Sequence, residues 1–104
     1  FSEPEVVQHH EAAGLLKAAA DSLARAKELD PRNAGIWFAE GSLALRDGRP
    51  EQAVGLLQEG LRLDSRNASA YFDLGNAHIL LSQPSLALKA FERASDLRRD
   101  FWEA

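Results

Sequence analysis

The sequence contains no cysteine, no excess of basic residues and no long hydrophobic run. Without cysteine, a disulfide framework, a thiolate nucleophile and cysteine-ligated zinc are all excluded. This absence fits a reducing compartment, so we expect a cytoplasmic protein. No apolar run approaches the roughly 20 residues that a membrane helix needs, and no segment resembles a signal peptide. We therefore expect no contact with a membrane.

Charge and composition narrow the class of protein further. The 104 residues carry a net charge of -4, with 45% hydrophobic and 27% charged residues. Acidic and basic residues alternate along the chain, whereas nucleic-acid-binding proteins usually carry a clustered basic face. The composition thus predicts one compact unit, or one piece of a larger array, that does not bind nucleic acid.

The strongest feature of the sequence is a repeat with a period of 34 residues. Internal self-similarity of this length is typical of proteins built from stacked helical units. Several columns of like residues share one register: Ala19, Ala53 and Ala87; Leu23, Leu57 and Phe91; Leu29, Leu63 and Leu97; Trp37 and Tyr71; Phe38 and Phe72; Gly41 and Gly75; Asn33 and Asn67; Pro50 and Pro84.

The residue types in these columns have physical reasons. A small residue such as Gly41 lets two antiparallel helices approach closely. Gly48 suits a tight turn because it adopts a positive φ without a Cβ clash. Pro50 fits the first turn of a helix, where its missing N–H costs nothing. Asn33 and Asn67 are good N-caps for the helices that follow them.

These patterns predict six helices and no strand. The helices are expected at about 3–13, 15–29, 34–46, 50–63, 68–81 and 84–98. Paired in order, they form three antiparallel hairpins. The residues expected to be buried between the helices are Ala19, Leu23, Ala53, Leu57, Ala87 and Phe91.

The repeat resembles the tetratricopeptide repeat, with its aromatic residue, small residue, turn glycine and two spaced small residues. The second repeat shows these features as Trp37, Gly41, Gly48, Ala53 and Gly60. The resemblance implies an all-α fold, an α-solenoid of three antiparallel hairpins in a right-handed superhelix. It also implies a non-catalytic scaffold that binds proteins.

The first repeat departs most from the pattern, in its leading helix. Glu3 stands where Trp37 stands, and Val7 stands where Gly41 stands. The repeat boundaries are expected at 1–33, 34–67 and 68–101, with 102–104 as the start of a truncated following repeat.

The last residues raise an expectation about the C-terminal end. Phe101 and Trp102 resemble the start of a further inner helix, so we expect the chain to be cut from a longer array. With nothing after the last hairpin to cover it, its outer helix should leave some apolar residues partly exposed, and this end should meet another copy of the chain. The residues concerned are Leu86, Ala90, Phe91 and Leu97.

No catalytic constellation is present. His10 and Glu11 begin like a zinc-protease helix, but Gly14 occupies the place of the second histidine. We therefore expect no catalytic residue, no metal and no cofactor. Glu40 occupies a position that is apolar in the other repeats. We expect it at the rim of the fold with its carboxylate in water; the alternative is a buried carboxylate with a functional role.

The resemblance also implies where a partner binds, because the first helix of each hairpin lines the concave side in this family. The candidate partner-binding residues are Gln8, Glu11, Phe38, Ser42, Leu45, Arg46, Phe72, Asp73, Asn76 and Ile79. Such a mixed surface suits an extended peptide or a helix. Alternatively, the two phenylalanine rings simply pack between neighbouring helices.

Two other functions stay open at this point. The chain could be a structural or self-association segment of a larger repeat protein. RNA binding by helical repeats is less favoured, because such arrays are usually basic and longer.

Overall fold

The computed structural model describes the backbone of residues 4–103 and the side chains of residues 14–99. This part of the chain consists of helices joined by short turns, without a strand, so the predicted all-α class is confirmed. The helices are α1 (Pro4–Leu29), α2 (Ala34–Arg46), α3 (Pro50–Leu63), α4 (Ala68–Leu80) and α5 (Pro84–Glu103). The bounds of α2 and α3 are those expected from the sequence, and α4 ends one residue early.

The two hairpins, α2–α3 and α4–α5, are each closed by a turn of the same type. Gly48 has a φ of 73° and Ser82, 34 residues later, has a φ of 58°. After each turn an N–H donates to the carbonyl oxygen five residues back. Arg49 donates to Ala44 at 2.9 Å, and Gln83 donates to His78 at 2.8 Å. The period in the sequence is therefore a period in the backbone.

The residues predicted to start the helices do so. The side-chain oxygen of Asn33 accepts a hydrogen bond from the N–H of Gly35 at 3.0 Å, and that of Asn67 accepts one from Ala70 at 2.9 Å. Both asparagines thus satisfy a free N–H at a helix N-terminus. Pro50 begins α3. The first N–H groups of a helix have no acceptor within the helix, so a residue without an N–H costs nothing there.

Glycines let the two helices of each hairpin approach closely. A Cβ on Gly41 would lie 2.7 Å from Cγ of Leu57, and a Cβ on Gly75 would lie 2.5 Å from Cε1 of Phe91. Neither position has room for a side chain. The two pairs are one period apart, so both hairpins use the same close contact.

The core lies between the α2–α3 hairpin and α4. Both α2 and α3 contact α4. The buried cluster consists of Ala53, Leu57, Leu61, Ala70, Leu74, Ala77 and Ala90. Stacking the second hairpin on the first is therefore what removes these apolar side chains from water.

The predicted first hairpin is absent, because α1 runs unbroken from Pro4 to Leu29. At the place of the turn, its sequence lacks the proline that begins the second helix of each of the other two repeats. Gly14 has the register of Gly48, but Leu16 stands where Pro50 stands. Leucine has an N–H that continues the helical hydrogen bonds, whereas proline does not. The expectation of three hairpins and six helices was wrong here, and the handedness of the superhelix stays a prediction.

Packing gives a second reason for the missing hairpin. Val7 occupies the register of Gly41, where the closed hairpin leaves no room for even a Cβ. Without a leading helix folded back on α1, Ala19 is exposed and Leu23 is only half-buried, so the predicted burial of Ala19 was wrong. In the two hairpins that do form, Ala53, Leu57 and Ala87 are buried as expected, whereas Phe91 is only half-buried.

The end of the chain also differs from the expectation. α5 continues without a break through Glu103, so Phe101 and Trp102 do not begin a separate helix. Their side chains lie outside the described residues. Some of four apolar residues were expected to be partly exposed: Leu86 is exposed and Phe91 is half-buried, whereas Ala90 and Leu97 are buried. Among the described residues, no helix combines the length and the apolar character needed to cross a membrane.

Candidate functional site

The predicted partner-binding residues of α2 and α4 recur three or four positions apart, so those of each helix share one face. The two helices contact each other. We call the two faces the inner surface and define it by Ser42, Leu45, Arg46, Phe72, Asp73, Asn76 and Ile79. Of these, Arg46, Phe72 and Ile79 are exposed and the others are half-buried. The side chains of Gln8 and Glu11 lie outside the described residues.

Two charged residues of the inner surface, one on each helix, act on each other electrostatically. Burial raises the pKa of the Asp73 carboxyl above its ordinary value, and the positive charge of Arg46 opposes that rise. Asp73 belongs to α4 and Arg46 to α2, so side chains from two repeats act on each other electrostatically. Arg46 and Asp73 are therefore near each other, although they form no ion pair within the described residues.

The two phenylalanine rings have different surroundings. Phe38 lies against Gly60 of α3 and packs on the core cluster. Phe72, one period later, meets Ala94 in the register of Gly60. Its ring lies against Phe91 instead, with centroids 5.6 Å apart, and 49% of the residue stays exposed. Phe38 is therefore mainly a packing residue, while Phe72 offers a free apolar ring.

Glu40 does not lie in water at the rim, so that expectation was wrong. Its Oε2 pairs with Nζ of Lys27 at 3.1 Å, and its side chain is only 14% exposed. Its Oε1 is buried, and no donor in the described part of the chain reaches it. A charged side chain in an apolar slot thus finds a partner on the preceding helix.

Comparing equivalent positions of successive repeats indicates this ion pair, which neither residue indicates by itself. One period after Lys27 stands Leu61, and one period after Glu40 stands Leu74. Both leucines are buried in the core cluster. In the second and third repeats these positions hold two leucines of one buried cluster, whereas on α1 and α2 they hold an ion pair, so the two departures occur together.

Trp37 completes the link between α1 and α2. Its Nε1–H donates to the carbonyl oxygen of Pro31 at 2.8 Å. Nζ of Lys27 lies 4.7 Å from the centroid of its ring, within the range of a cation–π contact. The ammonium group is therefore held between the indole and the Glu40 carboxylate.

A groove of about 680 Å³ lies between α1, α2 and α3, with Glu40 and Ala44 among its lining residues. Successive residues of a helix are rotated by about 100°, so these residues lie on the side of α2 opposite Ser42 and Arg46. The groove is thus separate from the inner surface, and no pattern in the sequence indicated it. Within the described residues, no group of three or more acidic or histidine side chains could hold a metal.

Comparisons with known proteins agree with this architecture. A family model described as "Tetratricopeptide repeat" matches residues 38–100. The protein "Superkiller complex protein 3" of Mus musculus is 36% identical over 64 residues, which cover 62% of this chain and 4% of that protein. The Homo sapiens protein of the same name is 36% identical over 61 residues, covering 59% of this chain and 4% of that protein. The chain thus spans a small fraction of these relatives.

Solved structures show the same fold. A crystal structure of MamA superposes with a TM-score of 0.81 at 21% identity, covering 86% of this chain and 52% of that chain. A second MamA structure gives a TM-score of 0.78 at 24% identity, covering 90% and 51%. Tetratricopeptide repeats generally mediate protein–protein interaction and are generally non-catalytic. The matched family model, the 34-residue period and the paired helices together show that this chain belongs to the tetratricopeptide repeat family.

Proposed function

We propose that this chain binds a segment of another protein, an extended peptide or a helix, on the inner surface of α2 and α4. The observation that carries the proposal is that α2 of one repeat packs against α4 of the next, so that the two helices stand side by side. A segment lying across both helices would meet one continuous surface. In this proposal the chain is not an enzyme, and its partner is a protein.

The chemistry of the inner surface suits a polypeptide ligand. Phe72 and Ile79 are 49% and 53% exposed and supply apolar contact area. Ser42 and Asn76 are half-buried and carry hydrogen-bonding groups that can fix the register of a backbone. Arg46 adds a planar donor that pairs well with a carboxylate.

Site-specific photo-crosslinking tests this assignment. A photoreactive amino acid at residue 76 should capture a protein from a lysate, whereas the same group at residue 58, exposed on α3, should not. In quantitative binding to the captured protein, Arg46→Ala with Asn76→Ala should weaken affinity at least about tenfold. Gln58→Ala, the matched outer-helix control, should leave it unchanged.

Three results would contradict the proposal. Crosslinks from residue 58 alone would place the contact on the outer helices. Recovery of RNA that is lost on nuclease treatment would favour the RNA-binding alternative. Unchanged affinity of the Arg46 and Asn76 double variant, with normal helicity, would show that the inner surface is not used.

Self-association is a second candidate, supported by a different observation. Phe72, Ile79 and Leu88 are exposed on the last hairpin. Their equivalents one period earlier are all packed against the core cluster: Phe38, Leu45 and Val54. The last hairpin thus exposes the face by which the previous one stacks, and a second copy could cover it.

Sedimentation velocity at rising concentration tests this candidate. Association should weaken with Leu88→Lys and persist with Leu15→Lys, a change to a more exposed leucine on α1. A monomer at every concentration would exclude this candidate and leave the peptide-binding proposal untouched.

A further inference from the structure

One mainly apolar face of α1 is left open in the described part of the chain. Its residues recur three or four positions apart, and we define the open face by Leu15, Ala19, Ser22, Ala26 and Leu29. Leu15 is 72% exposed and Leu29 is 88% exposed. Lys27, which pairs with Glu40 of α2, is turned about 100° away from Ala26. The contact with α2 therefore leaves this face uncovered.

The equivalent face of α5 is buried. Its residues stand two periods later, and each is at most 6% exposed: Ala87, Ala90, Ala94 and Leu97. Within the described residues, α4 is the one helix that contacts α5, so α4 is what covers them. On α1, by contrast, Ala19 and Ser22 are exposed. Thus α1 has the face of a hairpin's second helix but lacks the first helix that would cover it.

The contacts inside the two hairpins specify a small residue in any helix that fits the open face. A Cβ on Gly75 of α4 would lie 2.5 Å from Cε1 of Phe91, and a Cβ on Gly41 of α2 would lie 2.7 Å from Cγ of Leu57. The equivalent of Phe91 and Leu57 on α1 is Leu23. A helix seated on α1 in the same way therefore needs a glycine opposite Leu23.

A second contact of the last hairpin specifies an aromatic residue one helical turn before that glycine. The guanidinium carbon of Arg93 on α5 lies 5.9 Å from the centroid of the Tyr71 ring on α4, within the range of a cation–π contact. Arg25 stands at the equivalent place on α1 and is exposed. A tyrosine four residues before the glycine would meet Arg25 as Tyr71 meets Arg93.

The first residues of the chain do not carry these two features. Glu3 and Val7 stand where Tyr71 and Gly75 stand two periods later. In both hairpins this glycine position has no room for a Cβ, and valine adds two methyl groups to the Cβ. A helix that fits the open face must therefore come from a different sequence.

We propose that the open face of α1 binds a helix of a partner protein that carries an aromatic residue and, four positions later, a glycine. The partner helix lies antiparallel to α1, as the two helices of each hairpin do, and completes a hairpin between two proteins. Its glycine faces Leu23, and its aromatic ring lies over Arg25. The open face belongs to α1 and not to the inner surface of α2 and α4, so this proposal does not depend on the function proposed above.

Two matched peptides test the proposal on the whole chain. One has the sequence of residues 67–83, and the other replaces its glycine, residue 75, by valine. In amide chemical-shift mapping, the glycine peptide should move the signals of residues 15–29. It should bind at least about tenfold more tightly than the valine peptide, because overpacking of a close helix contact is costly enough for that factor. Valine forms helices at least as well as glycine, so the difference cannot come from lost helicity.

Variants of the chain locate the contact on α1. Ala19→Lys places a charge in the open face and should abolish binding of the glycine peptide. Ala24→Lys is the matched control, the same change at an exposed alanine about 140° round the same helix, and should leave the affinity unchanged. Arg25→Gln should weaken binding about two- to fivefold, the size of an exposed cation–π contact. It should not weaken binding of a peptide that has leucine in place of Tyr71.

Four results would overturn the proposal. The first two are equal affinity of the glycine and valine peptides, and no binding of the glycine peptide at about 1 mM. The third is a set of shifts confined to α4 and α5, which would mean that the peptide displaces α4 from its own hairpin. The fourth is an Ala19→Lys variant that binds the glycine peptide as tightly as the unmodified chain does.

Discussion

The ring of Phe38 occupies the space where a side chain on Gly60 would begin. A Cβ at residue 60 would lie 2.5 Å from Cε1 of that ring. One period later Ala94 supplies such a Cβ, and Phe72, the equivalent of Phe38, is 49% exposed. Phe38 thus packs over Gly60 of its own hairpin, whereas Phe72 lies against Phe91 and stays about half exposed.

Gly60→Ala should therefore destabilise the protein. The new methyl group must displace Phe38, and overpacking of this kind costs about 1–3 kcal/mol. Better helix propensity offsets roughly 1 kcal/mol of that cost. Urea unfolding followed by circular dichroism measures the net change.

The matched control for Gly60→Ala lies on the same helix. A Cβ on Gly55 would meet nothing within 4 Å, so Gly55→Ala should stabilise by about 1 kcal/mol through propensity alone. If both substitutions raise stability equally, Phe38 does not need the space over Gly60.

Ser82→Gly should stabilise the second hairpin. Ser82 has a φ of 58°, and the left-handed region costs a non-glycine residue about 1–2 kcal/mol. Glycine removes this strain but gains freedom in the unfolded chain, so a net gain of about 0.5–1 kcal/mol is expected. The reverse change at the equivalent turn, Gly48→Ser, should destabilise by a similar amount. Thermal unfolding of both variants checks the pair, and a loss of stability in Ser82→Gly would count against turn strain.

Asp73 predicts a pH dependence whose sign follows from its raised pKa. Because burial raises that pKa in the folded state, the folded protein binds the proton more readily than the unfolded chain does. The resulting stability is fully present below the unfolded pKa of about 3.9 and is lost as pH rises through the higher folded value. Asp73→Asn should therefore be more stable than the unmodified protein at neutral pH, with a difference that disappears in acid.

Nuclear magnetic resonance titration of the Asp73 carboxyl carbon tests the role of Arg46 directly. Arg46→Gln should raise the pKa of Asp73 further, because it removes the charge that opposes the effect of burial. Arg62→Gln, a change to an exposed arginine that pairs with Glu59 on α3, is the control and should not move that pKa. An unchanged pKa in Arg46→Gln would separate the two residues and count against a continuous inner surface.

The sequence predicted α2 to α5 well because short-range chemistry decides where they start and turn. Asn33 and Asn67 cap, Pro50 starts a helix, and Gly48 turns the chain, each within a few residues of its effect. The continuous α1 was missed because the 34-residue period was extended over Leu16 and Val7, which lack the chemistry that the period requires. Periodicity predicts a register, but the residue at each place decides whether a turn forms there.

The candidate sites were less predictable because they depend on contacts between helices. Helical spacing was enough to place Asn76 and Ile79 on one face of α4. The pairing of Lys27 with Glu40 arises only when α1 packs on α2, and the two residues stand 13 positions apart in sequence. A pairwise comparison of repeats would have found it, since both positions change from leucine to a charged residue together.

That substitution of an ion pair for two leucines leads to the last prediction, a double-mutant cycle at Lys27 and Glu40. Lys27→Leu should destabilise by about 1–3 kcal/mol, because it leaves a largely buried carboxylate without its partner. Glu40→Leu should be nearly neutral, since the lysine side chain is more exposed and its ammonium can return to water. The double change places leucines at both positions, as in the buried cluster that contains Leu61 and Leu74 one period later, and it should stabilise by about 1 kcal/mol. Urea unfolding of the four proteins yields the coupling energy. If the double variant is no more stable than Lys27→Leu alone, the two leucines do not pack on each other between α1 and α2, and the link between these helices must rest on Trp37 instead.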